Sequence, residues 1–300
     1  MLRLSGKLCG VCDMEKQNTT PEKVDLYNSA YGNYGAEVYQ QIRVETYGKD
    51  LGQTSWVTTE ESSEIPLTLG ITATSNVLEI GSGSGRYALQ VANTTGCQLL
   101  GVDINEPGIQ NANALAAEQK LTDRVRFEKC DASQALRFGD ATFDAIFSND
   151  VLCHIPGRDK LLRELHRVLK PGGRLLFSDA LVIGGVISHH EIAARSSIGY
   201  FLYSPPGENE RLLRDAGFTA VDVQDTTANA SLISQRWCDA RKKRAEALIG
   251  IEGKETFVGL QRFLATVQAL TNERRLRRLL YVAENGRPKD ENNQSSIPAG

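Results

Sequence analysis

The segment SNDVLCHI, residues 148–155, carries two side chains that can move a proton. Asp150 and His154 stand four residues apart, directly after the apolar run FDAIF. Such a run is typical of a buried strand, so we expect the chain to leave a strand here and enter a helix. Residues i and i+4 share one face of a helix, which would point the carboxylate and the imidazole into the same space. Because histidine titrates near neutral pH, the segment is a candidate for acid–base chemistry.

A glycine-rich turn lies upstream, in EIGSGSG after the apolar residues VLEI. Glycines at a strand-to-helix turn let the backbone approach a ligand closely, and the N–H groups that begin the following helix can bind a carboxylate or phosphate. The candidate binding residues of this turn are Glu79, Gly81, Ser82, Gly83 and Gly85. The turn predicts a site for a nucleotide-like cofactor.

Two acidic residues follow apolar segments where parallel strands would end. Asp103 closes LLGVD and precedes Ile104, and a carboxylate at this place can accept hydrogen bonds from two ribose hydroxyls. Asp131 closes FEKCD and precedes Ala132, and it could accept a donor from an adenine amino group. Either acid alone could be an ordinary strand-end cap. Both together favour an adenosine-containing cofactor.

Strand and helix patterns alternate through the middle of the chain. The predicted strands there are VLEI, QLLGVDI, VRFEKCD, FDAIFSN and RLLFSDALV. The helices predicted among them are RYALQVAN, GIQNANALAAEQK and RDKLLRELHRVLK. Further helices are predicted over HHEIAARSSIGYFL, GENERLLRDAG, LISQRWCDARKKRAEALIG and ETFVGLQRFLATVQAL, and further strands over TAVDVQDTT and RLLYVAEN. The pattern predicts a doubly wound α/β fold with a mostly parallel, seven-stranded, Rossmann-like sheet.

The same patterns indicate one domain with added helices. Residues 1–20 and the polar tail 287–300 are expected to be disordered. Residues 21–75 are expected to form an N-terminal helical lid. Residues 76–286 would form the α/β domain, with helical insertions at about 188–215 and 232–272.

Composition argues against several kinds of partner. The 300 residues carry a formal net charge of −3, which gives no general attraction to nucleic acid or to anionic membranes. No apolar run reaches the roughly 18 residues of a membrane span, and the N-terminus lacks the apolar stretch of a secretory signal, so a cytoplasmic protein is expected. A small molecule is the expected partner. The sequence sets no oligomeric state.

The cysteines are scattered, which is the pattern of free thiols. Cys9 and Cys12 form a CxxC pair, but a structural zinc site needs four ligands, and no second Cys or His pair stands at matching spacing. No metal site is predicted.

Two classes of enzyme carry a glycine-rich turn at this place in the fold. Dinucleotide-dependent oxidoreductases usually carry GxGxxG, whereas this chain has GxGxG with Glu79 two residues ahead. Together with GVDI and LKPGGRLLFSD, the segment VLEIGSGSG resembles the class I S-adenosylmethionine-dependent methyltransferases, over about residues 27–281. The resemblance implies S-adenosylmethionine as the cofactor. An NAD-dependent oxidoreductase and a non-catalytic cofactor-binding module are the remote alternatives.

The resemblance also implies a role for each cofactor residue. The backbone of the turn would pass under the methionine part, and Asp103 would hold the ribose. Asp131 and Ala132 would contact the adenine. Asn149 would begin the segment that lies over the sulfonium.

The segment SNDVLCH resembles the amine methyltransferases typified by the phosphoethanolamine methyltransferases, with sarcosine and dimethylglycine methyltransferases as relatives. An ammonium ion has no lone pair, so a base that removes its proton is useful before methyl transfer. In the phosphoethanolamine enzymes a histidine works with a tyrosine of an N-terminal lid, and YGNYGAEVYQQI resembles that lid with Tyr31 as the counterpart. The implied catalytic residues are His154, Tyr31 and Asp150. N-methylation of an amine is therefore the leading hypothesis.

The chain departs from the phosphoethanolamine enzymes where they bind phosphate. The tyrosine expected after FSD is Ala180, and the expected arginine falls near Ile198. These replacements favour a larger or less charged acceptor. The substrate-pocket candidates are Tyr27, Tyr39, Arg195, Tyr200 and Tyr203. C- or O-methylation of an apolar natural product is the alternative hypothesis.

Overall fold

Seven strands form one sheet in the computed structural model, which describes residues 23–50, 52 and 54–286. The strands are β1 Asn76–Ile80, β2 Gln98–Asp103, β3 Val125–Lys129, β4 Phe143–Ser148, β5 Leu169–Ile183, β6 Phe218–Asp225 and β7 Leu276–Asn285. Their order is β3-β2-β1-β4-β5-β7-β6, and β7 runs antiparallel to both of its neighbours. The predicted doubly wound, mostly parallel, seven-stranded sheet is thus confirmed.

The helices precede the sheet, connect its strands and extend beyond it. They are α1 Leu26–Gly32, α2 Glu37–Tyr47, α3 Thr59–Leu69, α4 Arg86–Thr95, α5 Glu106–Glu118, α6 Arg158–Val168, α7 His189–Arg195, α8 Glu208–Asp215, α9 Thr227–Lys243, α10 Ala245–Glu252 and α11 Lys254–Asn272. Within the described ranges, none of them has the length and apolar character needed to cross a membrane. The predicted disordered segments 1–20 and 287–300, and the Cys9–Cys12 pair, lie outside the described residues.

Alternating side chains of the central strands divide the core into two layers. Val77 of β1 packs with buried residues of α3, α4 and α5, whereas its neighbour Leu78 packs with residues of α6 and α8. Successive residues of a strand point to opposite faces, so a strand buried on both faces is apolar throughout. A third cluster joins α1 and α2 to α9, α10 and α11 through residues such as Tyr39, Trp237 and Phe263. This cluster fixes the N-terminal helices beside the sheet.

The segment after β4 differs from the prediction. A single 3₁₀ turn, Leu152–His154, stands where an α-helix was expected to begin, and α6 starts only after it. Proline disfavours the helical conformation in the residue before it, and Ile155, which precedes Pro156, is extended. Asp150 and His154 therefore do not share the face of an α-helix.

The helix predicted over HHEIAARSSIGYFL ends early, at Arg195. The following chain includes Gly199 at φ +154, a conformation that favours glycine, and then runs extended. The Leu202 amide donates to the Cys153 carbonyl at 2.8 Å, which holds this extended chain against the 3₁₀ turn. The backbone around Tyr200 is thereby brought to His154.

Candidate active site

A cavity of about 370 Å³ lies at the carboxyl ends of β1, β2 and β4. Small-molecule sites usually enclose roughly 300–1,000 Å³, and open parallel sheets bind their ligands at this edge, where the strand order reverses. The glycine turn, the end of β2 and the segment after β4 line one part of the cavity. Residues of α1 and the extended chain at 198–200 line the other part.

The glycine turn is held tightly between two other segments. Gly81 and Gly83 both have positive φ, at 77° and 51°. A Cβ on Gly83 would lie 2.3 Å from the Tyr31 hydroxyl, and one on Gly81 would lie 2.3 Å from the Val151 side chain. Only glycine fits at these two positions. The turn is therefore covered by α1 on one side and by the segment after β4 on the other.

Asp103 lies at the end of β2 and faces the cavity. One carboxylate oxygen accepts the Gly83 amide and the other accepts the Asn105 amide, both at 2.8 Å. Burial raises the pKa of this carboxyl above its ordinary value. Each carboxylate oxygen can accept a second hydrogen bond, so Asp103 retains the capacity to bind hydroxyls. Ile104 also lines this end and is 63 % exposed.

Three buried polar side chains that line the cavity each have an atom without a hydrogen-bond partner. The atoms are Glu79 Oε2, Ser82 Oγ and Asn149 Nδ2. Such unpaired atoms are uncommon in folded proteins because they are costly. Burial, followed by the charge of Asp103, raises the pKa of Glu79 well above its ordinary value. Unpaired donors and acceptors at this place fit the amino-acid part of the expected cofactor.

Asp131 and Ala132 are not among the residues that line this cavity. The Asp131 side chain is exposed, and its carboxylate accepts the Ser133 amide at 2.9 Å. In this structure it caps the turn after β3 rather than facing the cavity. Asn105 lines the cavity at the end of β2 instead.

Tyr27 and His154 meet at the other end of the cavity. The Tyr27 hydroxyl lies 3.0 Å from His154 Nε2, and His154 Nδ1 lies 3.1 Å from the Tyr200 carbonyl oxygen. Because a carbonyl only accepts, Nδ1 carries the proton, and Nε2 accepts from the tyrosine. Burial, and next the charge of Arg195, lowers the pKa of His154 to about 4. The imidazole is therefore neutral near pH 7, and the lone pair of Nε2 is directed at the Tyr27 hydroxyl.

Tyr31 occupies a different place from the one expected. It follows Tyr27 by one turn of α1, and the two rings stack with centroids 6.5 Å apart. Its hydroxyl lies 3.1 Å from Thr54 Oγ1 and packs over Gly83. Tyr27, rather than Tyr31, contacts His154. The tyrosine that contacts the histidine, Tyr27, therefore lies one helical turn before Tyr31, the tyrosine predicted from the resemblance of the N-terminal segment.

Asp150 belongs to a buried ion-pair network. Its carboxylate accepts from the Trp56 amide at 2.8 Å, the Ser178 hydroxyl at 2.9 Å and Arg278 Nε at 2.8 Å. Arg278 is fully buried and also pairs with Glu61 at 2.7 Å. Because both oxygens of Asp150 are occupied, the geometry fits a residue that positions the segment after β4. It does not fit one that exchanges protons.

The pocket candidates are divided between two locations. Tyr200 lines the cavity and is 53 % exposed. Tyr39 donates instead to Glu252 at 2.7 Å, and the Tyr203 hydroxyl lies 3.0 Å from Ser196 Oγ. These two tyrosines stabilise the packing of helices and do not line the cavity. Arg195 is buried behind the cavity wall.

Arg86 is a cavity residue that the sequence analysis missed. It begins α4, directly after the glycine turn, and its Nε donates to the Tyr34 hydroxyl. Among the described residues no acidic side chain lies within ion-pair distance of it. A cation at the start of a helix suits a carboxylate ligand. The signal was available, because Arg86 follows GSGSG immediately.

Comparison with known proteins agrees with the fold. Residues 78–177 match the family model described as a methyltransferase domain. The O-methyltransferase resE of Aspergillus sclerotiorum is 30% identical, over 73% of this chain and 81% of that protein. The 27-O-demethylrifamycin SV methyltransferase of Amycolatopsis mediterranei is 28% identical, over 77% and 89%. Phosphoethanolamine N-methyltransferase 2 of Haemonchus contortus, solved with phosphomonomethylethanolamine and S-adenosylhomocysteine, has a TM-score of 0.73 and 21% identity, over 88% of this chain and 61% of that chain.

The chain belongs to the class I S-adenosylmethionine-dependent methyltransferases. It is an enzyme that uses S-adenosylmethionine and methylates a small molecule, which confirms the predicted family, cofactor and enzyme class. The relatives include O-, N- and C-methyltransferases. The acceptor atom must therefore be argued from the site.

Proposed function

We propose that this enzyme methylates a hydroxyl group of an apolar small molecule, and that Tyr27 and His154 receive the released proton. The observation that carries the proposal is the hydrogen bond between the Tyr27 hydroxyl and the neutral imidazole at one end of the cavity. It is supported by the two relatives that align over most of their length. One is an O-methyltransferase, and the other acts on 27-O-demethylrifamycin SV.

The opposite end of the cavity is proposed to hold the cofactor. The proposed cofactor-binding residues on the cavity lining are Glu79, Gly81, Ser82, Gly83, Asp103, Ile104 and Asn149, together with Arg86. Gly85 is not on this lining, and a Cβ at Gly85 would meet Phe127 and Ala112. In this arrangement Asp103 takes the ribose hydroxyls, and Glu79 takes the ammonium group. When bound, S-adenosylmethionine supplies an electrophilic methyl group on a sulfonium, so methylation of a hydroxyl releases one proton.

The dyad offers a short path for that proton. Burial raises the pKa of Tyr27 well above its ordinary value, so the phenol stays protonated and donates to His154. As the acceptor hydroxyl donates to the Tyr27 oxygen, the tyrosine proton passes to Nε2 of His154. The Tyr200 carbonyl keeps the proton on Nδ1 and holds the ring in place. General-base assistance of this kind is worth about 100-fold to 10,000-fold in rate.

The amine hypothesis shares the tyrosine–histidine pair with this proposal but loses one of its three implied catalytic residues. Asp150 is held by Arg278 and two further donors and is not free to act beside the imidazole. Ile198, Gly199 and Tyr200 line the cavity next to the dyad and carry no charge. Asp25 also lines the cavity, and its two carboxylate oxygens accept from the backbone amide and the side-chain amide of Asn28. A hydroxyl on an apolar body fits this lining better.

A matched acceptor panel tests the proposal. Phenols and alcohols should be compared with the corresponding amines, by S-adenosylhomocysteine release and by the mass of the product. We expect turnover of hydroxyl compounds that is lost in Tyr27→Phe while cofactor affinity is kept. Methylation of amines alone, or of carbon acceptors alone, would overturn the hydroxyl assignment.

A further inference from the structure

Arg195 carries a buried positive charge. It ends α7 and is 2 % exposed, and its Nη1 has no hydrogen-bond partner. No carboxylate in residues 23–50, 52 or 54–286 lies within ion-pair distance of its guanidinium. A buried charge is costly unless it is paired, so an unpaired arginine calls for a functional explanation.

Aromatic rings surround this guanidinium and connect it to the dyad. Its central carbon lies 4.3 Å from the ring centroid of Phe201, 5.1 Å from that of Phe263 and 5.9 Å from that of Trp56. Ring faces attract a cation but do not cancel its charge. The Phe201 ring also packs on the His154 ring, with centroids 4.3 Å apart. A single phenylalanine therefore links the cation to the proposed base.

Two buried carboxylates in this part of the protein are each held by another arginine. Asp179 pairs with Arg158 at 2.7 Å, and Asp150 pairs with Arg278 at 2.8 Å. Arg278 is shared, because it also pairs with Glu61 at 2.7 Å. Neither Asp179 nor Asp150 forms an ion pair with Arg195, which is a positive charge one phenylalanine ring away from His154.

We propose that Arg195 sets the acceptor specificity of the dyad, favouring phenols and enols that react as oxyanions over amines that arrive as ammonium ions. This inference rests on the proposed hydroxyl methylation. As the hydroxyl proton passes to Tyr27 and the tyrosine proton to His154, the acceptor oxygen gains negative charge. That charge is consumed as the oxygen bonds to the methyl carbon, while the carbon–sulfur bond breaks and leaves its electron pair on sulfur. A fixed cation in a low-dielectric site stabilises the developing oxyanion and disfavours an ammonium ion.

The charge can be separated from the shape of Arg195 by two substitutions. Arg195→Met keeps a long side chain among the rings but removes the charge, and Arg195→Lys keeps the charge. Removing an unpaired buried charge should not unfold the protein, which thermal denaturation of both variants will check. The probes are 4-nitrophenolate, at a pH where this phenol is ionised, and benzylammonium. Binding of each to the full chain saturated with S-adenosylhomocysteine is measured by calorimetry.

We expect the wild type to bind 4-nitrophenolate more tightly than benzylammonium. Arg195→Met should lose about tenfold in phenolate affinity without losing affinity for benzylammonium, whereas Arg195→Lys should stay within about threefold of the wild type. Equal phenolate affinity in the wild type and Arg195→Met, a wild-type preference for benzylammonium, or no phenolate binding by the wild type would each overturn the role of Arg195.

The two proposals fail in different ways. A wild type that binds phenolate selectively but methylates only amines would refute hydroxyl methylation and leave the electrostatic effect of Arg195 in place. Phenol methylation with unchanged kcat and KM in Arg195→Met would refute the role of Arg195 and leave hydroxyl methylation in place.

Discussion

The Tyr27 hydroxyl lies 3.0 Å from Nε2 of His154, although 127 positions separate the two residues in the chain. Tyr27 belongs to the first helix, whereas His154 ends the 3₁₀ turn that follows β4. The Tyr200 carbonyl fixes the histidine ring from its other nitrogen. The N-terminal helix thus supplies half of the proposed dyad, and the cavity is complete only where that helix packs against the sheet edge.

The first prediction separates Tyr27 from Tyr31. Tyr27→Phe and His154→Gln should each lower kcat by about 100-fold to 10,000-fold, because each interrupts the proton path. Calorimetry should show S-adenosylmethionine affinity within about twofold of the wild type. Tyr31→Phe is the matched control, since Tyr31 covers the glycine turn, and it should change cofactor affinity more than kcat. Equal losses of kcat in Tyr27→Phe and Tyr31→Phe would restore Tyr31 as a catalytic partner.

The second prediction concerns pH. Burial and Arg195 lower the pKa of His154 from 6.5 to about 4, so the imidazole should stay a neutral base throughout the neutral range. Turnover should show no acid limb near pH 6.5 and should fall only as the pH approaches about 4. Between pH 6.5 and pH 4 the imidazole of His154 is protonated in the unfolded chain but neutral in the folded chain. The free energy of unfolding should therefore decrease as the pH falls through this range. Proton NMR of the imidazole, assigned with His154→Gln, will measure the pKa. Titration near 6.5 would contradict the buried, neutral state.

Much of the fold was predictable from sequence because its signals are local. Strand and helix periods alternate regularly, and Gly83 and Asp103 mark the ends of β1 and β2, where the cofactor edge of the sheet forms. The helix predicted to begin directly after β4 is replaced by a 3₁₀ turn. That prediction rested on the four-residue spacing of Asp150 and His154 and did not take Pro156 into account. The proline was the better local signal, since it restricts the residue before it.

The acceptor end of the site could not be predicted in the same way. Asp150 meets Arg278 across 128 positions, and Tyr27 meets His154 only through the docking of α1 on the sheet. Hydrophobic periodicity fixes which face of an element is buried but not which long-range pair of polar groups will meet. Arg195 illustrates the same limit. Its burial, with no carboxylate of the described residues at ion-pair distance, depends on how the helices pack.

The third prediction tests whether Asp150 positions or reacts. Asp150→Asn weakens a fully buried pair with Arg278 and should lower the free energy of unfolding by about 3 kcal/mol or more, as measured by denaturant unfolding. Asp159→Asn removes an exposed partner of Arg163 and should cost less than about 1 kcal/mol. At a temperature where both variants are folded, Asp150→Asn should keep kcat within about tenfold of the wild type. A variant as stable as the wild type but without activity would make Asp150 a proton carrier.

The fourth prediction is that cofactor binding releases a proton from Glu79. Burial and the charge of Asp103 raise the pKa of Glu79 well above its ordinary value, and Oε2 has no partner, so we expect this carboxyl to be protonated in the free enzyme. An ammonium group placed beside it would favour the ionised form and lower its pKa again. Calorimetry in two buffers of different ionisation enthalpy should therefore detect the release of up to about one proton per S-adenosylmethionine bound. S-adenosylhomocysteine, which keeps the ammonium but lacks the sulfonium, should release the same amount.

The matched variant for this prediction is Glu79→Gln, which keeps the shape of the side chain but has no proton to lose. It should abolish the buffer dependence and weaken cofactor binding by about tenfold, because a neutral amide replaces a carboxylate opposite the ammonium. Asp103→Ala should also weaken binding, yet proton release should remain, since burial is the larger cause of the raised pKa of Glu79. If the wild-type binding enthalpy is the same in both buffers, Glu79 is already ionised in the free enzyme or does not face the ammonium. In that case the unpaired Oε2 must be satisfied by another donor of the bound cofactor.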